Sequence, residues 1–254
     1  MPYLAMDTAT GTLTVAVGEP GVLLGEATTN LKRNHSNRLM PLIDVLLDDI
    51  GIQPENLKGI IVGHGPGSYT GVRIGVATAK MMAWALNIPL LGVSSLDGLA
   101  RNFLASDGIV CPMFDARRKQ AYTALYERTE CSFRKTLADS LLPLDRLFSA
   151  IHSRQDERRN AQKPVSVLFC GDGAQAYRQE IKEAFGDDAY FVECAALDLV
   201  RAGHLLDIGI PRLLAGEKAD ITGFAPEYLQ LAEAEAKWLS KQTQSPEASA
   251  DGRS

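Results

Sequence analysis

The chain has no Cys-x-x-Cys pair, no apolar run of bilayer-spanning length, few aromatic residues and no excess of basic charge. Each absence removes a class of protein. The 4 cysteines, Cys111, Cys131, Cys170 and Cys194, stand far apart, which argues against a zinc ribbon or a disulfide framework. Buried thiols in a reducing compartment fit that spacing. Without a stretch near the ~20 residues a membrane helix needs, no membrane contact is expected. Met1-Pro2-Tyr3-Leu4 leads directly into a strand with no leader pattern, so a cytoplasmic location is expected. A net charge of −5 argues against a chain that binds nucleic acid alone through a basic face, although a partner could supply one. The 4 histidines, His35, His64, His152 and His204, include no pair at helical i, i+4 spacing. No Ser-His-Asp order or Cys-His pair has a context that suggests nucleophilic chemistry. No catalytic residue and no metal ligand is therefore named.

What is present is a chain of 254 residues with 46% hydrophobic content, enough for one large domain or two compact ones. Its organising stretch is the glycine-rich run from Gly63 to Gly71, between a β-branched strand (58–62) and an apolar helix (72–86). Such a turn can aim free backbone N–H groups at an anion, or it can be only a tight strand-to-helix connection. It is neither a Walker sequence nor a dinucleotide fingerprint.

Three strands, 2–7, 13–17 and 22–28, are expected first, as an antiparallel meander. Ser36 is the expected N-cap of a helix whose apolar face is Leu39, Leu42, Ile43, Leu46, Leu47 and Ile50, with Pro41 near its start. The strand 58–62, the helix 72–86, a strand 90–93 and a helix 94–104 complete a βββαβαβα unit. The order then recurs. Strands are expected at 109–115, 120–127, 131–137, 165–170 and 190–193, with helices at 144–153, 174–185 and 197–215. The charged stretch 154–163 reads as solvent-exposed. Met6-Asp7 and Phe114-Asp115 each close the first strand of a unit with an acid. Two βββαβα lobes with mixed sheets predict an α/β, duplicated ribonuclease-H-like, actin-like fold. The expected division is 1–105 and 106–240, with a last helix (226–240) that could pack on the first lobe and a disordered tail, 241–254.

The runs Met6-Asp7-Thr8-Ala9-Thr10, His35-Ser36, Gly65 to Gly75, Ser94-Ser95-Leu96-Asp97, Asp115-Ala116-Arg117 and Pro226-Glu227-Tyr228-Leu229 occur in that order. Together they resemble the bacterial TsaB (YeaZ) family. That resemblance implies a non-catalytic scaffold in making threonylcarbamoyladenosine next to the tRNA anticodon. It implies docking to a TsaD-like catalytic paralogue and a TsaE-like ATPase, with self-association in isolation and tRNA met only through the complex. No intrinsic cofactor is implied; ATP or ADP and metal would sit on the partner subunits. The paralogue carries a run like Val-His-His-Met-Glu-Gly-His, in which two histidines hold a metal. Ser95 and Leu99 stand at the two corresponding positions here.

The resemblance also implies pairing through the N-terminal helices. Gly71, Gly75, Ala79 and Ala83 form a small-residue ridge that could face either the chain's own sheet or a second helix. The expected partner-binding set is Ser36, Leu39, Met40, Gly71, Gly75, Thr78, Ala79, Met82 and Ala83, with Met81 and Trp84 adding bulk to other faces. A large residue at Gly75 or Ala79 would then break the complex and leave the chain folded. A nucleotide or anion cleft, if present, would use Asp7, Thr8, Gly65, Gly67, Ser68 and Asp115. Both acids could equally be turn residues. The cluster Arg117-Arg118-Lys119 is either a solvated turn or a contact for an anion or RNA phosphate. An autonomous ATP-dependent phosphotransferase or ATPase remains the alternative, and a metallopeptidase-like activity a weaker third.

Overall fold

The computed structural model describes residues 1–31, 34–129 and 133–229. The first half runs β1 (Tyr3–Asp7), β2 (Thr12–Glu19), β3 (Val22–Asn30), α1 (His35–Asp49), β4 (Ile60–Gly63), α2 (Tyr69–Leu86), β5 (Leu90–Val93) and α3 (Ser95–Ala100). The second runs β6 (Ile109–Asp115), β7 (Gln120–Arg128), β8 (Phe133–Pro143), α4 (Leu144–Asn160), β9 (Val167–Cys170), α5 (Asp172–Ala176), α6 (Arg178–Phe185), β10 (Ala189–Phe191) and α7 (Ala202–Leu214).

The duplication expected from the element order is present. One five-stranded sheet has the order β3-β2-β1-β4-β5 and the other β10-β9-β6-β7-β8, the same arrangement read from opposite edges. In each, two antiparallel pairings lead into parallel ones, β1 with β4 and β6 with β9. Strand alternation sorts side chains onto two faces. Leu4, Met6, Ile60 and Val62 point to the side covered by α1 and α2, whereas Tyr3, Ala5 and Ile61 point to the side covered by α7.

The two sheets part between β5 and β6, and each takes a helix from the other half of the chain. Leu96, Leu99 and Ala100 of α3 pack with Val110, Phe114 and Tyr126 of the second sheet. In return, Leu205, Leu206 and Ile210 of α7 pack on the first sheet. Thr14 Oγ1 accepts the Ala202 N–H at 3.1 Å, and Glu26 accepts from Gly203 N at 3.1 Å and from the Arg201 guanidinium. These contacts seat the start of α7 on the first lobe. The chain then continues along that lobe, with Ala219 N donating to Leu90 O at 2.8 Å.

Several boundaries differ from expectation, each for a local reason. Helix α1 starts after Asn34, in the left-handed region at φ 60°, so Ser36 is an exposed first-turn residue and not the cap. Helix α2 starts earlier because Ser68 caps it, its side chain accepting from Gly71 N. Ser94 caps α3 in the same way, which leaves that helix short before a 3-10 turn. A single helix over 174–185 is broken at Tyr177, and α7 begins at 202 instead of 197. The expected last helix does not begin at 226, since 226–229 are irregular; 230–240, the tail 241–254 and Cys131 lie outside the described residues.

The charged stretch 154–163 is mostly the end of α4, and it is not all exposed. Gln155 and Arg158 are buried. Arg158 Nη1 donates to Glu127 Oε2 at 2.7 Å, its Nε to the Pro164 carbonyl, and Arg154 also reaches Glu127. Burial alone would raise the Glu127 carboxyl, but the two arginines outweigh it and hold the group below its ordinary 4.5. A depressed carboxyl contributes stability that is lost as pH falls through its folded pKa. Arg158→Met should therefore cost about 3 kcal/mol at neutral pH, as for one broken partner of a buried pair, and less below pH 4.5. Urea unfolding at several pH values measures this; a neutral-pH loss under about 1 kcal/mol would contradict it.

Candidate functional site

The glycine loop, the end of β1 and the start of α3 meet at one buried point. Asp7 is fully buried, with Oδ2 accepting the Ser95 hydroxyl at 2.5 Å and Oδ1 accepting the Ala9 N–H at 2.8 Å. Gly63 ends β4 beside it, and a Cβ there would overlap the Asp7 carboxylate. Desolvation pushes this carboxyl above its ordinary 3.8, offset in part by the bonds from Ser95 and Ala9 and by nearby His64 and His35. Thr8 is equally buried, and its hydroxyl donates to the Gly71 carbonyl at 2.7 Å.

Three of the loop's amides are committed to the chain itself. His64 N donates to Val93 O at 3.1 Å, Ser68 N to Ala9 O at 2.7 Å and Gly71 N to Ser68 Oγ at 3.4 Å. The Gly65 carbonyl accepts from Ser95 N at 2.8 Å. Gly65 itself needs its φ of +107°, which L side chains rarely adopt.

A cleft of about 940 Å³ does open between the lobes. It is lined by Gly67 and Ser68, by the starts of α1 and α2, by Phe114 to Arg118 and Tyr122, and by Glu227 to Leu229. Of the six expected cleft residues, Gly67, Ser68 and Asp115 line it; Asp7, Thr8 and Gly65 do not. Asp115 is exposed, its Oδ1 accepting from Arg117 N and Tyr177 OH, both at 2.7 Å. Burial and the bond to Asp115 push the Tyr177 hydroxyl up to about 12. The two strand-end acids thus share a place in the fold but not a space: Asp115 lines the cleft beside Asp172, whereas Asp7 is sealed away from it.

The small-residue ridge of α2 is corrected as well. A Cβ on Gly75 would lie 2.6 Å from Thr8 Oγ1, and one on Gly71 would overlap the Thr8 carbonyl. Ala79, Ala83 and Leu39 are fully buried in the core formed with β1, β2 and β4. The close approach that small residues permit is made by the chain's own β1. Thr78 and Met82 are half-buried, and Ser36 and Met40 are exposed. On the far side of α2, Met81 and Trp84 reach solvent.

At the two positions aligned by resemblance with the paralogue's metal ligands, Ser95 is engaged by Asp7 and Leu99 is core. Among the described residues, no group of three His, Cys, Asp or Glu is placed to hold a metal, and no helix is long and apolar enough to cross a membrane. His35 Nε2 lies 2.9 Å from Thr10 O, tying the start of α1 to the β1–β2 turn. His64 Nε2 is 3.1 Å from Glu227 Oε2, His152 Nδ1 is 3.1 Å from Gln155 Oε1, and His204 Nε2 is 3.0 Å from Asn102 Oδ1.

Sequence reasoning expected a helix from 226 that could pack on the first lobe; it missed that residues 219–229 strap that lobe as an irregular segment. Lys80 Nζ donates to Thr222 O at 3.2 Å and Phe224 O at 2.6 Å, and Glu227 N donates to His64 O at 2.9 Å. Arg73 Nε donates to Tyr228 OH at 2.6 Å, and its guanidinium lies 4.0 Å from the Tyr69 ring centroid. The only signal for this was the run Pro226-Glu227-Tyr228-Leu229, which carries no periodicity.

Two lobes of one strand order, exchanging helices around a cleft, define a protein of the actin-like class. Comparison with known proteins narrows this. A family model described as TsaD: tRNA N6-adenosine threonylcarbamoyltransferase matches residues 23–238. The tRNA threonylcarbamoyladenosine biosynthesis protein TsaB of Bacillus subtilis is 40% identical over 242 residues, covering 95% of this chain and 100% of that protein. Its namesake in Escherichia coli is 34% identical over 132 residues, 51% of this chain and 57% of that protein. The solved structure of YeaZ from Pseudomonas aeruginosa superposes with a TM-score of 0.69 at 25% identity, covering 90% of this chain and 99% of that one. A second structure, described as an uncharacterized protein with similarity to peptidase YEAZ from Pseudomonas aeruginosa, gives 0.72 at 26% identity with the same coverage. The chain belongs to the TsaB (YeaZ) family.

Two substitutions check this geometry. Asp7→Asn keeps an acceptor for Ala9 N and a partner for Ser95, so it should cost less than about 1 kcal/mol at pH 7, whereas Asp7→Ala strands both groups and should cost about 1–3 kcal/mol. Because the folded Asp7 carboxyl titrates above its unfolded value, the native chain loses stability relative to Asp7→Asn as pH rises from near 4 through that pKa. Denaturation midpoints from pH 4 to 8 read this, and parallel curves would refute the buried carboxylate. Gly75→Leu should fail to fold, since its side chain meets β1; a folded variant with the native midpoint would return the ridge to the surface.

Proposed function

We propose that the chain is a non-catalytic subunit of tRNA threonylcarbamoyladenosine biosynthesis that docks and activates a TsaD-like transferase. Family membership supports the pathway, and the sealed state of Asp7 supports the absence of a transfer step on this chain. The observation that carries the docking is the outward side of α1 and α2. Met40 is 47%, Val45 67%, Met81 63% and Trp84 69% exposed, on helices whose opposite sides form the core. Large apolar side chains held on rigid helices, Trp and Met above all, are the usual centre of a protein interface. Two such helices meeting two from a partner make a four-helix contact. A second copy of the chain would use the same surface, so self-association and transferase binding would compete. A TsaE-like ATPase, nucleotide and metal belong to the partner subunits in this reading, and tRNA is met only in the assembled complex. The autonomous ATPase reading has less support, because the acid it needs at the first strand end is out of reach of the cleft.

Trp84→Ala should weaken binding to a TsaD-like partner tenfold or more, as removal of a central aromatic does, while leaving the thermal midpoint within about 2 °C. Titration calorimetry with the purified partner measures the first and a melting scan the second. Unchanged affinity would move the docking surface elsewhere. Threonylcarbamoyl transfer to tRNA at full rate by this chain alone would overturn the non-catalytic role.

A further inference from the structure

The two crossings between the lobes converge on one short helix. Helix α3 lies on the second sheet, α7 lies on the first, and these exchanged helices pack on each other. Gly98 stands where they meet. A Cβ there would lie 2.8 Å from Leu205 Cδ2 and 3.1 Å from Val200 Cγ1. A side chain at this position would hold the helices apart, and glycine is kept although alanine is the better helix former.

Helix α3 is bonded to both lobes within one turn. Ser95 donates its hydroxyl to Asp7 at 2.5 Å and its N–H to the Gly65 carbonyl at 2.8 Å, both in the first lobe. Two residues on, Asp97 Oδ1 accepts from Tyr126 OH at 2.5 Å and from Lys135 Nζ at 2.7 Å, both in the second. Leu96, between them, is fully buried. The second crossing is anchored in the same way. Asp198 accepts from Gly171 N and from Gln175 Nε2 of the second lobe. Arg201, Ala202 and Gly203 bond to Glu26 and Thr14 of the first. Only Leu199 and Val200 lie between those anchors.

Asn102, four residues after Gly98, ties the two crossings together. Its Nδ2 donates to Leu99 O and to Leu199 O, both at 3.0 Å. Two carbonyl partners fix the orientation of the amide, which turns Oδ1 to His204 Nε2 of α7 at 3.0 Å. Burial holds His204 below its ordinary 6.5, so near neutral pH the uncharged ring donates this bond.

Two bodies joined by linkers move relative to each other by default, through a few residues free to change their backbone angles. Neither crossing leaves such a stretch: Leu96 is inside a buried helix, and the carbonyl of Leu199 is held by Asn102. We propose that the α3–α7 contact clamps the two lobes into one body with a cleft of fixed width, and that Asn102 closes the clamp. The chain is then a rigid platform. A partner seated on α1 and α2 carries the second lobe and the cleft with it, and meets no jaw that opens and shuts.

Residual dipolar couplings of the backbone amides, measured on the deuterated full chain in a dilute aligning medium, test this without a partner. Their result therefore leaves the docking reading untouched. In the native chain the couplings from β1–β5 and from β6–β10 should fit one alignment tensor. Asn102→Ala removes three bonds that lie outside both sheets, and should leave two tensors of different magnitude. Gly98→Ala places a methyl group between the helices while favouring α3 itself, and should give the same split. Dispersed amide spectra from both sheets show that each lobe stays folded in the variants. Two tensors in the native chain would overturn the clamp. A single tensor kept by both folded variants would overturn it too, and one kept by Asn102→Ala alone would take that role from Asn102.

Discussion

The bond between Asp7 and Ser95 is the constraint on which the rest of this molecule turns. It joins the end of β1 to the start of α3 at a point with no access to water, and Gly63 closes the space beside it. A carboxylate in that position would be costly to ionise without its two hydrogen bonds, and with them it acts as a rivet. The same rivet fixes the glycine loop, since Ser95 N also holds the Gly65 carbonyl. What could have been a cation-binding acid at a strand end is thereby spent on structure.

The duplication sharpens the contrast. Asp7 and Asp115 close equivalent strands of equivalent sheets, yet one is fully buried and the other stands exposed at the cleft. The difference comes from what crosses between lobes. Helix α3 leaves the first sheet for the second and brings Ser95 over Asp7 on its way; Asp115 meets instead the hydroxyl of Tyr177, at the break between α5 and α6. Helix α7 makes the reverse crossing and seats itself on Thr14 and Glu26. Each lobe therefore supplies part of the other's core, and the cleft between them has walls held by those exchanged helices.

Two surfaces remain after this packing. The outward side of α1 and α2 is apolar, whereas the cleft mixes charges of both signs (Asp115, Asp172 and Glu227 with Arg117 and Arg118) with the rings of Tyr69, Tyr122 and Tyr228, which suits them to different occupants. The strap of residues 219–229 links the two. It runs beside α2 from Lys80 to Tyr69 and ends with Tyr228 at the cleft, so a change on one surface is one short, hydrogen-bonded segment away from the other.

The sequence alone carried the element order, the duplication, the apolar face of α1 and the family, because each is written in local patterns: strand alternation, helical spacing and short motifs in sequence order. It also placed the acids correctly at the strand ends. It did not say which were accessible. The ridge Gly71, Gly75, Ala79 and Ala83 has the same spacing whether it meets a partner or β1, and only the approach of Thr8 decides between them. Arg158, in a run that reads as solvated, is buried because Glu127 comes to it from a distant strand. Periodicity reports which residues share a face; burial depends on what the rest of the chain lays against that face. For this protein, the tertiary structure decided that Asp7 is a rivet and Asp115 lines a cleft, through the crossing of α3 and the return of the strap.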